Sequence, residues 1–279
     1  MLGAAVMGLE DSRENNEHAA QIPFKPWHVM FVCATYLVAA WSAFVLVDVL
    51  NYAGLRDSLV ATGLQMPATW PHLFREGGPT EMLQWLCLGG ASVLAAIAAG
   101  ELRSQKQFLA GARVFWILMS IALMLLLIED AGNPRHFIRD RVFELTGSQA
   151  ARLAVESLIF MILAGLPLYA LLRYRREVIR FGSAKWYLLC GFLCYGVAGA
   201  GSATRYAWYE EAGARFHAVL APDLLELEHY YFTDVGMGFF LMDWLLEESV
   251  ELLGAAFFVC ATLAFVRELR TPEPARTQL

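Results

Sequence analysis

Trp244–Val266 reads WLLEESVELLGAAFFVCATLAFV. As a helix rising 1.5 Å per residue it would cover about 34 Å, enough to cross roughly 30 Å of hydrocarbon. Yet Glu247, Glu248 and Glu251 sit in its first third. An acid in or beside hydrocarbon costs several kcal/mol unless it is paired, protonated, hydrated or bound to a cation. This stretch therefore sets the fold class and poses the functional question together.

Five further apolar blocks of similar length lie upstream, at about 28–50, 81–100, 112–130, 153–172 and 186–204. They explain the composition: 58% hydrophobic residues, 17% charged and a mean hydropathy of +0.47. Soluble domains average nearer 45–50% apolar and about 25% charged. The expected fold is an all-α, polytopic transmembrane helical bundle of about six spans. Residues 1–27 read as an N-terminal tail, 28–268 as the six-span membrane domain and 269–279 as a C-terminal tail. No apolar core followed by a cleavage site precedes the first span, so it reads as a retained helix. The connections at 51–80, amphipathic around Leu55–Leu64, and at 205–243, rich in Tyr, Trp and Phe, are expected to supply interfacial helices on the outer face. The small residues from Gly89 to Gly100, and Gly196, Gly199 and Gly201, suit close helix packing.

An even number of spans puts both termini on one side. The connections on that side carry 13 lysines and arginines, against 8 on the other. The bias predicts cytoplasmic termini. Glu81 at the start of span two, Glu129-Asp130 at the end of span three, Glu156 in span four and the acids of span six then share one outer layer. Asp243, Glu247 and Glu251 follow i, i+4, i+8 spacing, which on an α-helix makes a like-charge stripe. Glu129 and Asp130 end a helix where the dipole disfavours a carboxylate. Glu81, in a first turn, is favoured by the same dipole, and Gln84 extends its polar face.

Two readings of these acids stand side by side. In one they pair with Arg135, Arg139, Arg152 or Arg205 and fix helix packing. In the other Glu81, Glu129, Asp130, Glu247 and Glu251 are ligands or proton carriers of an intramembrane site, with Arg135 and His136 as electrostatic partners. A divalent metal is the candidate cofactor, and its ligands would be drawn from Glu81, Glu129, Glu247, Glu248, Glu251 and His229. His229 belongs to Glu226-Leu-Glu-His229, a lone Glu-x-x-His where a carboxylate-bridged di-metal bundle needs two. The five cysteines all fall in apolar blocks, as small buried side chains rather than a disulfide framework. No phosphate loop, dinucleotide fingerprint, His-Glu-x-x-His or Gly-x-Ser-x-Gly motif occurs, and no basic, aromatic-rich cluster suggests nucleic acid.

Three stretches carry a resemblance: Arg75-Glu-Gly-Gly-Pro-Thr-Glu81, Ile128-Glu-Asp130 with Arg135, and Glu247-Glu-Ser-Val-Glu-Leu-Leu-Gly254. In them the chain resembles uncharacterised bacterial multi-span inner-membrane proteins that start one span with Glu, end the next with an acidic pair followed by a basic residue, and start the last with a Glu-rich turn. Members commonly carry a Trp-containing stretch after the acidic pair, where this chain has Ala131-Gly-Asn-Pro134. The resemblance implies a multi-pass protein of the bacterial inner membrane with a periplasm-facing acidic site, and assigns no activity. Alkaline ceramidase-type hydrolases also gather acids and histidines at one membrane face, but carry paired histidines on a late helix that this chain lacks.

The expected function is binding of a metal or other cation at the acidic site, extending to metal-dependent hydrolysis of a lipid-like substrate. A subunit of a larger membrane complex and a proton-coupled transporter are the alternatives. The expected partners are the lipid bilayer and other membrane subunits, not nucleic acid.

Overall fold

Helix α1 (Pro26–Ala43) starts on a proline, whose missing N–H costs nothing in a first turn, and runs into a π-helical turn, Phe44–Val49. The structure, a computed structural model, describes residues 24–63, 68–104, 110–220 and 236–270. It is all-α, with no strand among the described residues, and six of its helical stretches are long and apolar enough to cross a membrane. This is the architecture of a multi-pass membrane protein.

Short helices α2 (Leu55–Ala61) and α3 (Trp70–Phe74) lead from the first span to the second. Asp48, in the π-helical turn, is fully buried and fixes α3: its carboxylate accepts the Thr69 N–H at 2.8 Å, the Thr69 hydroxyl at 2.8 Å and the Trp70 N–H at 2.9 Å. Helices α4 (Pro79–Ser104) and α5 (Ala110–Gly132) form an antiparallel pair. Small residues line their seam: Gly89 lies beside Leu127, and reciprocal 2.9 Å bonds run from the Ser92 and Ser120 hydroxyls to each other's carbonyls.

The next connection contains a helix that hydropathy does not reveal, α6 (Pro134–Thr146). Asn133 enters it at φ 47°, Pro134 occupies its first turn, and Gly147 at φ 64° ends it. Asparagine and glycine are the residues that tolerate this left-handed region. The Ser148 hydroxyl then accepts the Ala151 N–H at 3.3 Å and caps α7 (Gln149–Arg173), whose interior holds Pro167. After a short helix, α8 (Arg175–Ile179), the chain returns through α9 (Ala184–Leu220).

Helix α9 corrects the long aromatic connection expected at 205–243. Its 37 residues span about 55 Å, so some 15 residues project beyond Arg205. No proline interrupts the helix there, and an i,i+4 ion pair, Arg215 to Glu211 at 2.5 Å, supports its outer face. The projecting part packs against α10 (Met237–Phe240), where Gly213 and Gly238 bring the two backbones into direct contact. A π-helical stretch, Leu241–Glu247, joins α10 to α11 (Glu248–Arg270).

Helix α11 is the axis of the bundle, touching α1, α4 and α9. In the last span 78% of the apolar window is buried, whereas α7, the most peripheral, buries 11%. The glycines work differently from expectation on α9. Its close approach to α11 is made by Gly191 against Phe258 and by Gly254 against Tyr195, while Gly196 and Gly199 face open space. At the end of the bundle that holds Phe24 and Arg270, Trp116, Phe181 and Phe265 stack together, and Arg270 pairs with Glu101.

Candidate functional site

The site lies at the opposite end and begins with a turn. Gly77, at φ 72°, directs its N–H onto the Glu81 carboxylate in the first turn of α4. One turn along the same face, Gln84 is fully buried. Its amide nitrogen donates to Asp130 Oδ2 at 2.7 Å and to Glu251 Oε2 at 2.9 Å, so one side chain of α4 bridges acids of α5 and α11. Glu248, one turn before Glu251, is 9% exposed and its Oε2 has no hydrogen-bond partner among the described residues. Its charge neighbours are Glu251, Glu81, Asp130 and Glu247.

Glu247 accepts a 2.6 Å bond from the Tyr209 hydroxyl, on the projecting part of α9. Burial and the adjacent Glu247 push the Tyr209 hydroxyl well above its ordinary pKa, so it stays protonated as a donor. None of Glu81, Asp130, Glu247, Glu248 and Glu251 makes a salt bridge among the described residues.

A second set of acids, a few residues away, is paired. Arg135 Nε meets Glu129 Oε1 at 2.8 Å while its backbone N–H reaches Glu129 Oε2 at 3.3 Å. Arg135 and Arg139 each approach Glu156 Oε1 of α7 at 3.5 Å, and the Arg135 guanidinium lies 4.4 Å from the centre of the Phe160 ring. Arg205 of α9 pairs with Asp243 at 3.4 Å. Arg152 and Arg139 both meet Asp140, whose carboxyl Arg139 chiefly holds below its ordinary pKa. The pairing reading thus describes Glu129, Glu156 and Asp243, and leaves the other five acids unaccounted for.

The expected stripe at 243, 247 and 251 reaches one cavity, but the π-helical geometry gives its acids different partners. Leu241–Glu247 is π-helical, and its wider turn takes Asp243 out of α-helical register with the acids that follow. Asp243 faces Arg205, Glu247 faces Tyr209 and Glu251 faces Gln84.

Both sets border a cavity of about 240 Å³ enclosed by α5, α7, α9 and α11. Glu81, Glu129, Asp130, Arg135, Glu247, Glu248 and Glu251 all reach it. His136 does not. It sits among Arg135, Arg139, Arg205 and Glu156; burial first, then the three guanidiniums, push its imidazole down to about 4, so it is neutral near pH 7. Glu226 and His229 lie outside the described residues. Tyr195 and Tyr209 were missed as site residues, because tyrosine in an aromatic-rich membrane protein reads as packing or a headgroup-level anchor. Only the polar face shared by Glu81 and Gln84 hinted at the bridge across helices.

Away from the acids the cavity is apolar. Met119 and Leu123 come from α5, Leu163 and Pro167 from α7, and Phe192 and Phe258 from α9 and α11. Eleven residues of α5 separate Asp130 from Met119, which places the apolar end about 16 Å from the acids. Among the described residues no three His, Cys, Asp or Glu side chains are arranged as ready metal ligands. No family model, curated protein or solved structure matches the chain.

Proposed function

We propose that this protein binds a cation in the acidic cavity, in a bacterial inner membrane with both termini cytoplasmic and the acids toward the periplasm. The carrying observation is the gathering of Glu81, Asp130, Glu247, Glu248 and Glu251 from three helices with no basic side chain at salt-bridge distance among the described residues. Carboxylates brought this close raise one another's free energy and are relieved by protonation or by a bound positive charge. The Lys and Arg bias between the two sets of connections supports the orientation.

The bound group supplies positive charge, as a divalent metal or an organic ammonium. Glu248, with an unpartnered oxygen, and Glu251, held by Gln84, are the principal contacts. Arg135 and Arg205 stand at the rim, each ion-paired with acids of the second set.

Purified protein should be stabilised against thermal unfolding by Mn²⁺ or by tetramethylammonium, and Glu248→Gln or Glu251→Gln should weaken that ligand at least about tenfold, the cost of one lost charge contact. Failure of both cations to bind, by calorimetry and by thermal shift, would overturn the proposal.

A further inference from the structure

The cavity joins two chemistries that a bare ion does not need. Its outer end is acidic, and its inner end is lined by aliphatic and aromatic side chains for about 16 Å of helix rise. A small hydrated ion would use only the first part. An apolar chamber of this depth is matched by an apolar chain, because ligand sites are mostly apolar with a few placed polar groups that fix orientation.

The wall of the cavity is also incomplete toward the membrane. Helix α7 packs on α5 and α6, and α9 packs on α11 and α10, but among the described residues α7 and α9 are not extensively packed against each other. The α9 side of this gap is kept low by Gly196, Gly199 and Ser202, and a Cβ built on either glycine meets no atom within 4 Å. The outward face of α7 carries Leu158, Met161 and Ile162, all exposed and suited to lipid. A seam of small residues beside a lipid-facing helix gives a chain in the bilayer a sideways path into the cavity.

Glu248 fixes the polarity of the ligand's other end. It is a carboxyl 9% exposed, bordering the cavity, with an oxygen that nothing among the described residues satisfies. A buried polar oxygen without a partner is costly, and a cationic headgroup would satisfy it. An anionic headgroup would instead meet the five acids that no arginine neutralises.

We infer that the ligand is a membrane amphiphile with an ammonium headgroup and a single long apolar chain, which enters between α7 and α9, seats its headgroup at Glu248 and Glu251, and lays its chain between Leu163 and Phe192. The inference rests on the cation-binding reading above and adds the chain and the route.

The test uses the full chain reconstituted in lipid vesicles and a dodecyl-trimethylammonium probe carrying a diazirine at mid-chain, with tetramethylammonium as the chainless control. Photolabelling should fall on α7 and α9 residues that line the cavity, Leu163 and Phe192 among them. Glu248→Gln should lower it at least about tenfold. Gly199→Trp, which fills open space, should abolish cavity labelling while its ligand-free unfolding midpoint in detergent stays at that of the wild type, showing that it is folded; Gly196→Leu is the milder second variant and should reduce labelling.

If tetramethylammonium binds as tightly as the long-chain probe, and Gly199→Trp and Gly196→Leu change nothing, the amphiphile inference is overturned and the cation site stands. Labelling spread over the lipid-facing surface alike in wild type and variants would also overturn it. If neither cation binds, the site reading itself falls.

Discussion

Two acidic neighbourhoods meet at one cavity and are built in opposite ways. Around α6 and the start of α7, Glu129 and Glu156 are matched by Arg135 and Arg139 at 2.8–3.5 Å. Between α4, α5 and α11, Glu81, Asp130, Glu248 and Glu251 have one neutral amide, Gln84, holding two of them together. The first arrangement carries its own counter-charges, although Arg135 Nη1 is left without a hydrogen-bond partner among the described residues. The second is balanced only when protons or a cation join it. Residue type does not distinguish them, since both are glutamate-rich helix ends; the distinction lies in whether an arginine of a neighbouring helix can reach.

The sharpest way to break the comparison is to make the first neighbourhood resemble the second. Arg135→Met would strand Glu129 and leave Glu156 to Arg139 alone. Breaking a buried pair by removing one partner costs about 3–5 kcal/mol, and a loss of that size in detergent unfolding is expected; a loss below about 1 kcal/mol would mean that water already screens the pair.

Gln84→Leu attacks the other side. It removes two charge-assisted bonds worth about 1.5–3 kcal/mol each and leaves Asp130 and Glu251 facing one another. A net loss of about 2–3 kcal/mol is expected, diminished at low pH, where protonated carboxyls bond to each other.

Glu→Gln exchanges then separate the two neighbourhoods by sign. Glu251→Gln, measured without ligand, should stabilise the protein by about 0.5–1 kcal/mol, because it removes like-charge repulsion. Glu129→Gln should destabilise it by a similar amount by leaving Arg135 under-compensated. Equal signs from the two variants would erase the distinction between the neighbourhoods.

An effect of similar size belongs to His136, on the arginine side. Its folded value of about 4 lies below the ordinary 6.5, so the unfolded chain binds its proton first. The resulting stability is fully present above about pH 6.5 and is lost as pH falls toward 4. The ring is only half buried, so solvent screening keeps the contribution to roughly 1 kcal/mol. His136→Gln should flatten that part of the stability profile.

Hydropathy made the six spans legible, because twenty apolar residues in a row leave the chain few other places to lie. The gathering of acids from distant segments was legible too, through span count and turn direction alone. The pairing pattern was not. It depends on α6, which is amphipathic and polar enough to read as a loop, and which carries Arg135 and Arg139 back over the end of α5. The π-helical register of Leu241–Glu247 was equally hidden, since its sequence suits an α-helix and neighbouring packing imposes the extra residue per turn. The length of α9 was missed because aromatic residues past Arg205 serve a membrane interface and a helix equally well.

The contact of Gly213 with Gly238 sets a rule for any sequence that shares this architecture. A methyl group at either position would collide with backbone, not with a side chain that could swing away. Substitution at one of them therefore cannot be repaired locally; α10 must lift from α9 and take Tyr209 away from Glu247. Among diverging copies of such a chain, these two positions should be kept or lost together, and their joint loss should coincide with loss of the tyrosine.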